Sequence, residues 1–220
     1  MILLVGGEKG GVGKSLIAVS LATMRALEGY DVLVIDADRQ ASATLWSNIR
    51  VADHIRPAVA CIEKTGEALG TAVKDLATRY DDVVIDAGGR DSVELRAGLT
   101  VAEVVLFPLG YGVFDLGTLD KLAELVDLVK PINPGLIAKV LVNRAETHPN
   151  MKEAQTAQDV IGEYANLDLL KVVMRSRIAF SRAIEQGRCA LELKPQDEAA
   201  IAELTGVYEG VFKCLVPKMP

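Results

Sequence analysis

Aromatic side chains are scarce in this chain. They make up 5% of its 220 residues, with a single Trp, so aliphatic residues must fill most of any core. With half the residues hydrophobic there are enough of them to do so. Cysteine is as sparse: Cys61, Cys189 and Cys214 are far apart and none has CxxC spacing. That excludes a disulfide framework or a cysteine zinc site and reads as reduced thiols in a cytoplasmic protein. Long apolar runs are missing too. No stretch approaches the roughly 18 residues of a membrane-spanning helix, and Ile2–Val5 is too short for the core of a signal peptide. A positive surplus is also lacking: the net charge of −6 and pI of about 5.1 argue against a dedicated nucleic-acid binder, while leaving room for a local basic patch. No repeat, low-complexity tract or linker interrupts the sequence, and its length suits a single domain over residues 1–220.

What is present is an alternation of short apolar runs with longer helical patterns. Ile2–Gly6, Asp31–Asp36, Asp82–Asp86, Glu103–Leu109, Ala138–Val142 and Leu169–Met174 have the length and Val/Ile/Leu content of buried strands. Between them, Ser15–Leu27, Thr65–Tyr80, Asp115–Val129, Met151–Tyr164, Ile178–Gln186 and Glu198–Leu215 carry helical periodicity. Pro131–Pro134 reads as a turn. Continuous apolar strands separated by helices predict an α/β fold: a doubly wound, mostly parallel sheet with helices on both faces. Ligands of such sheets gather at the carboxyl ends of the strands, where Asp36 and Asp86 fall.

One segment carries specific chemistry. Lys9-Gly10-Gly11-Val12-Gly13-Lys14-Ser15 lies where the first strand meets the first helix, the context of a P-loop. Glycines let successive backbone N–H groups face phosphate oxygens, and the helix N-terminus adds a favourable dipole. Lys14 would reach the β- and γ-phosphates, and the Ser15 hydroxyl would hold Mg²⁺. Val83-Val84-Ile85-Asp86 reads as Walker B, its carboxylate beside the same ion. The strict Walker A pattern needs Gly at position 8, which here is Glu8.

That displaced glycine and the additional Lys9 resemble the deviant Walker A of the ParA/MinD superfamily, which includes the nitrogenase iron protein. The resemblance runs from Ile2 to about Leu215 and is nearest to small plasmid partition proteins of the ParF type. It implies an ATPase with ATP and Mg²⁺ as cofactors, nucleotide contacts from Lys9 through Leu16, and an ATP-dependent homodimer or filament. By the resemblance Lys9 reaches the partner subunit's phosphates, as an arginine finger would. Asp36-Ala37-Asp38-Arg39-Gln40 is similar to the family's D-x-D-P-Q segment, with Arg39 in place of proline. That makes Asp38 the residue that orients or activates the attacking water and Asp36 a support of the magnesium shell. Asn143 and Arg144 fall where the family contacts adenine, and the backbone near Met174–Arg177 where it lines the base pocket. Pro108–Asp115 is similar to a loop in a region used for dimer contacts. The prolines that often follow the Walker B aspartate are replaced by Ala87-Gly88-Gly89-Arg90-Asp91, so this switch loop is expected to be more pliable.

Arg175, Arg177, Arg182 and Arg188 form the one basic cluster. Members of the family that bind DNA without sequence preference use cations in this third of the chain; a solvated surface cluster reads equally well. The tail Val207–Pro220 is a weak match to a membrane-surface helix, so membrane attachment is not expected. The resemblance implies a centromere-binding or adaptor partner of the ParB kind and a cargo of plasmid or chromosomal DNA, with the protein cytoplasmic or nucleoid-associated. The alternatives are a MinD-like ATPase positioning a protein assembly or membrane machinery, and a dethiobiotin-synthetase-like ligase. No DNA-binding domain is expected before the P-loop.

Overall fold

The computed structural model describes residues 1–89, 92–110, 118–145 and 160–213. Its centre is a seven-stranded sheet in the order β3-β2-β4-β1-β5-β6-β7, with every pairing parallel. The strands are β1 (Ile2–Gly7), β2 (Val32–Ala37), β3 (Ala60–Glu63), β4 (Asp82–Gly89), β5 (Val104–Leu109), β6 (Ile137–Ala145) and β7 (Asp168–Arg175). The helices are α1 (Lys14–Leu27), α2 (Ser42–Ala52), α3 (Leu69–Leu76), α4 (Val93–Leu99), α5 (Leu119–Val129), α6 (Ile178–Glu185) and α7 (Glu198–Phe212), with a 3₁₀ turn at Ala190–Glu192.

Side-chain alternation along each strand builds two cores. Leu3 and Val5 of β1 face one layer with Ile17 and Leu21 of α1, Trp46 of α2, Phe180 of α6 and Leu204 and Val207 of α7. Leu4 faces the other, with Leu69 and Val73 of α3, Leu95 and Leu99 of α4, and Leu122 and Val126 of α5. Both faces of the sheet are therefore covered, the arrangement that all-parallel strands require. This is the doubly wound architecture of a P-loop NTPase.

Differences from the sequence expectation are local. The helix expected over Thr65–Tyr80 is limited to Leu69–Leu76, and the strands of β6 and β7 are longer than their apolar runs. Three elements were not anticipated: α2, the edge strand β3, and α4. The expected helix Met151–Tyr164 and the Pro108–Asp115 loop lie largely outside the described residues, as do Arg90, Asp91, Cys214 and the rest of the tail. No helix among the described residues is long and apolar enough to cross a membrane.

Topology places the site. β1 lies between β4 and β5, and the chain winds to opposite sides of it. The crevice at such a switch point opens at the carboxyl ends of the strands. Register then fixes who meets whom: Asp36 lies beside Asp86, and Val5, just before the P-loop, beside Asp86 on the other side.

Candidate active site

The P-loop leaves β1 at Gly7 and enters α1 at Lys14. Gly13, the last residue before the helix, is left-handed at φ 88°. A Cβ there would lie 2.6 Å from Asn143 Nδ2, so both the backbone conformation and the space require glycine. No acidic side chain occupies the first turn of α1, so its N-terminal dipole is left to an anionic ligand. Lys14 is buried and donates to the Lys9 carbonyl at 2.7 Å. Burial lowers its pKa, while the charges of Asp86 and Asp38 oppose that shift. Glu8, in the place of the usual first glycine, pairs with Lys121 of α5 at 3.8 Å and ties the start of the loop to the neighbouring layer.

Two aspartates sit side by side beneath this loop, both fully buried. Asp36 is satisfied: its Oδ1 accepts from the Asp38 N–H at 3.2 Å and its Oδ2 from the Thr44 N–H at 2.7 Å. Asp86 is not. Neither of its carboxylate oxygens has a hydrogen-bond partner at bonding geometry. Burial pushes its pKa up to about 7; Ser15 and Lys14 favour the charged form, and Asp36 and Asp38 oppose it. A buried, unsatisfied carboxylate beside a hydroxyl and an ammonium is costly unless a cation completes it. The residues fit Mg²⁺ in that respect. No cluster of three or more His, Cys, Asp or Glu among the described residues could hold a metal by itself.

Asp38 lies on the turn after β2, half-buried, its Oδ1 accepting from the Gln40 N–H at 3.0 Å. The end of β4 packs against it: a Cβ on Gly88 would stand 3.3 Å from the Asp38 carboxylate. The next residue is tighter. A Cβ on Gly89 would stand 3.0 Å from the Gly10 nitrogen and 3.1 Å from the Lys9 carbonyl carbon. The Walker B strand therefore ends in direct contact with the peptide that carries Lys9, which is half-buried and engaged in contacts of its own.

Two clefts open over these groups. One, of about 470 Å³, is lined by Gly10, Gly11 and Gly13 through Leu16 of the P-loop together with Asp38, Gln40, Ser42, Gly89 and Arg144. The other, of about 440 Å³, holds Asn143, Ser176, Phe180, Ser181 and Ile184 among its walls. They share Gly13, Leu16 and Arg144 and so adjoin. One is formed by the P-loop backbone, Lys14 and Asp38; the other sets Phe180, Ile184 and Leu16 against Asn143, two serines and the charged Arg144, Arg175, Arg177 and Glu185. That pairing has the form of a triphosphate site continued by a base site.

The sequence-derived residues distribute unevenly over this geometry. Lys14, Ser15, Asp38 and Asp86 converge, with Gly10, Gly11, Gly13 and Leu16 around them and Val12 buried behind. Asn143 and Arg144 lie at the junction of the clefts. Asn143 does more than face a base: its side-chain amide donates to the Val12 carbonyl at 2.7 Å and braces the P-loop. Arg144 is an exposed residue held left-handed at φ 58°, a strained conformation of the sort that collects at functional sites.

The basic cluster is not the open patch that its spacing suggested. Arg175 and Arg177 line the base cleft, and both pair with the buried Glu203, at 3.2 and 2.7 Å. Glu203 also accepts from the Arg175 N–H at 3.0 Å. Two of the four DNA-contact candidates are thus partly neutralised by a carboxylate twenty-odd residues away. Arg182 is exposed and Arg188 half-buried. Burial pushes Cys61 up to about 11 and Cys189 up to about 12, which leaves little thiolate for redox or nucleophilic chemistry.

Comparison with known proteins agrees with this geometry. The sequence model of the CobQ/CobB/MinD/ParA nucleotide binding domain matches residues 3–191. Protein ParA of Rhizobium radiobacter is 30% identical over 109 residues, which is 49% of this chain and 48% of that protein. Maintenance of carboxysome distribution protein A of Halothiobacillus neapolitanus is 22% identical over 223 residues, covering 96% of this chain and 95% of that one. The solved septum site-determining protein MinD of Pyrococcus horikoshii, complexed with Mg-ADP, superposes with a TM-score of 0.75 at 18% identity, covering 99% of each chain. At that identity the superposition shows the fold.

Proposed function

This chain belongs to the CobQ/CobB/MinD/ParA nucleotide-binding family, and from that premise we propose that it is a ParA-type ATPase. It binds ATP with Mg²⁺, hydrolyses it slowly, and closes as a homodimer while the triphosphate is intact. The observation that carries this reading is the convergence of Lys14, Ser15 and Asp38 on one cleft, with the buried Asp86 acting on Lys14 from beneath it and a second cleft adjoining.

Each residue has a task that its position supports. The P-loop N–H groups and Lys14 hold the phosphate oxygens; Lys14 must first exchange its bond to the Lys9 carbonyl for one to phosphate. Bound between Ser15 and Asp86, Mg²⁺ would neutralise charge on the β- and γ-phosphates. Asp36 serves that shell at one remove, by clamping the turn on which Asp38 rides. Asp38 accepts a hydrogen bond from the attacking water and aligns it. Lys9, whose peptide packs on the end of β4 at Gly89, is the group delivered to a second copy's phosphates.

The cargo is DNA in the first reading: a plasmid or chromosome, engaged through a centromere-binding partner, with Arg182 and Arg188 as the cations left to touch the backbone. A protein assembly is the second reading. It is favoured by the near full-length match to a carboxysome distribution protein and by the pairing of Arg175 and Arg177 with Glu203.

Phosphate release with Mg-ATP tests the activity. Turnover is expected, requires Mg²⁺, and falls about 100-fold or more in Asp38→Ala and Lys9→Ala while nucleotide binding survives. Binding without catalytic turnover, or unchanged turnover in both variants, refutes the reading. Retention of the ATP-bound protein on DNA at low salt, lost in Arg182→Glu/Arg188→Glu, separates the first cargo from the second.

A further inference from the structure

The side chain of Arg50 is 2% exposed and has no part in the site described above. Its guanidinium spends every donor group. Nε and Nη2 donate to the Pro57 carbonyl at 3.1 and 2.7 Å, and Nη1 to the Gly187 carbonyl at 2.9 Å. Both Nη groups also meet the Glu192 carboxylate, at 3.0 and 2.8 Å. One turn earlier, Trp46 is 1% exposed and its indole N–H donates to the Arg188 carbonyl at 3.1 Å. Gly187 closes the contact. Its φ is 62°, and a Cβ there would lie 2.6 Å from the Arg50 nitrogen, so only glycine lets this segment rest on the α2 backbone.

The segment that α2 grips is the end of the base-cleft helix. Gly187 N–H bonds to the Ile184 carbonyl at 3.1 Å and Arg188 N–H to the Ala183 carbonyl at 2.9 Å, finishing α6. The same helix presents Phe180, Ser181 and Ile184 to the base cleft. At its other end α2 is fastened to the hydrolytic turn: Thr44 N–H bonds to Asp36, and Ala41 N–H to the Asp38 carbonyl at 2.9 Å. One helix of 11 residues thus joins the wall of the base cleft to the turn that carries Asp38.

Stability alone does not call for this arrangement. A buried ion pair is often matched by apolar packing of the same volume. What a fully satisfied guanidinium fork adds is a fixed distance and angle between two elements.

We propose that Arg50 and Trp46 are positioning residues that make α2 a strut, so that a base seated against α6 sets the Asp38 turn for hydrolysis. The inference rests on the ATPase reading above. It predicts that the base contributes to kcat as well as to KM, and that the contribution passes through α2.

The test compares Mg-ATP with Mg-CTP in the full chain, for wild type, Trp46→Phe and Arg50→Lys. Trp46→Phe removes only the indole donor; Arg50→Lys keeps the charge and loses the fork. Wild-type kcat should be about tenfold higher with ATP than with CTP, a loss on the scale of a small misplacement of the reacting groups. In either variant kcat for ATP should fall to the CTP value, while kcat for CTP and the affinity for a fluorescent ATP analogue stay unchanged. Should Arg50→Lys fail to fold by thermal melt, Trp46→Phe decides alone. An ATP-to-CTP ratio of kcat that both folded variants keep, or a wild-type ratio near one, overturns the strut. Absence of any wild-type turnover strikes the ATPase reading instead, and the strut falls with it.

Discussion

Asp36 and Asp86 begin from nearly the same circumstances. They are the same residue type, on adjacent strands, in register with each other and fully buried. Yet the chain after β2 returns to Asp36, with the Asp38 N–H of the turn and the Thr44 N–H of α2 serving its two oxygens, while β4 runs on past Asp86 and packs its last glycines on Asp38 and the P-loop instead. The first carboxylate is completed by its own chain. The second has the Ser15 hydroxyl and the Lys14 ammonium favouring its charge, but neither of its oxygens is hydrogen-bonded at bonding geometry. Similar sequence context in an apolar strand thus yields a structural clamp in one case and a candidate binding group in the other, and the backbone that follows decides which.

The largest expected effect separates the two by activity. Asp86→Asn should lower ATP turnover about 10³-fold, since the carboxylate that would help hold Mg²⁺ is lost. Asp36→Asn should lower it about tenfold through a loosened turn, both in a phosphate-release assay. Equal losses would erase the distinction.

Stability should divide them in the opposite sense. Asp36→Ala leaves two buried N–H groups without an acceptor and should cost about 2–4 kcal/mol in urea unfolding. Asp86→Asn removes an uncompensated charge and should raise the stability of the nucleotide-free protein at pH 8 by about 1–2 kcal/mol.

The pH dependence follows from the raised pKa of Asp86, about 7 in the fold against an ordinary carboxylate value when unfolded. The native state binds the extra proton, so this residue's contribution is fully present below about pH 4 and is lost as pH rises through 7. Thermal melts of the nucleotide-free protein should therefore lose a few degrees between pH 6 and 8 on account of Asp86, and Asp86→Asn should remove that slope. Mg²⁺ needs the ionised carboxylate, so its apparent affinity in the presence of nucleotide should rise over the same window.

The smallest effect concerns the last two residues of β4. Gly89→Ala meets the Lys9–Gly10 backbone and should cost about 1–3 kcal/mol together with a tenfold fall in turnover. Gly88→Ala meets only the Asp38 side chain, at 3.3 Å or more, and should lower turnover a few-fold with little loss of stability. Steady-state kinetics with parallel urea melts would rank the pair, and the reverse ranking would remove Gly89 as the contact that sets Lys9.

Much of this site was legible before the fold was seen, because its chemistry is local. Lys14, Ser15 and the glycines are consecutive, and Asp86 ends an unmistakable apolar run. What escaped was long-range or polar. The buried stripe of α2 is Ala43, Trp46, Ser47 and Arg50, which has helical spacing but is half polar, so no hydrophobic period announced it. β3 is four residues at an exposed sheet edge, and α4 is a seven-residue helix capped by the Ser92 side chain; neither is long enough to show a pattern. Glu203 lies on α7, far in sequence from Arg175 and Arg177, and nothing in their spacing shows that it pairs with them. The cluster therefore read as more basic than it is.

The central claim is that this nucleotide site is one half of a pair. Light-scattering mass measurement of Asp38→Ala, which should bind ATP and retain it, tests that directly. With Mg-ATP the mass should rise from that of one 23.5 kDa chain to that of two, and with ADP it should stay at one. A single-chain mass with saturating Mg-ATP would contradict the account.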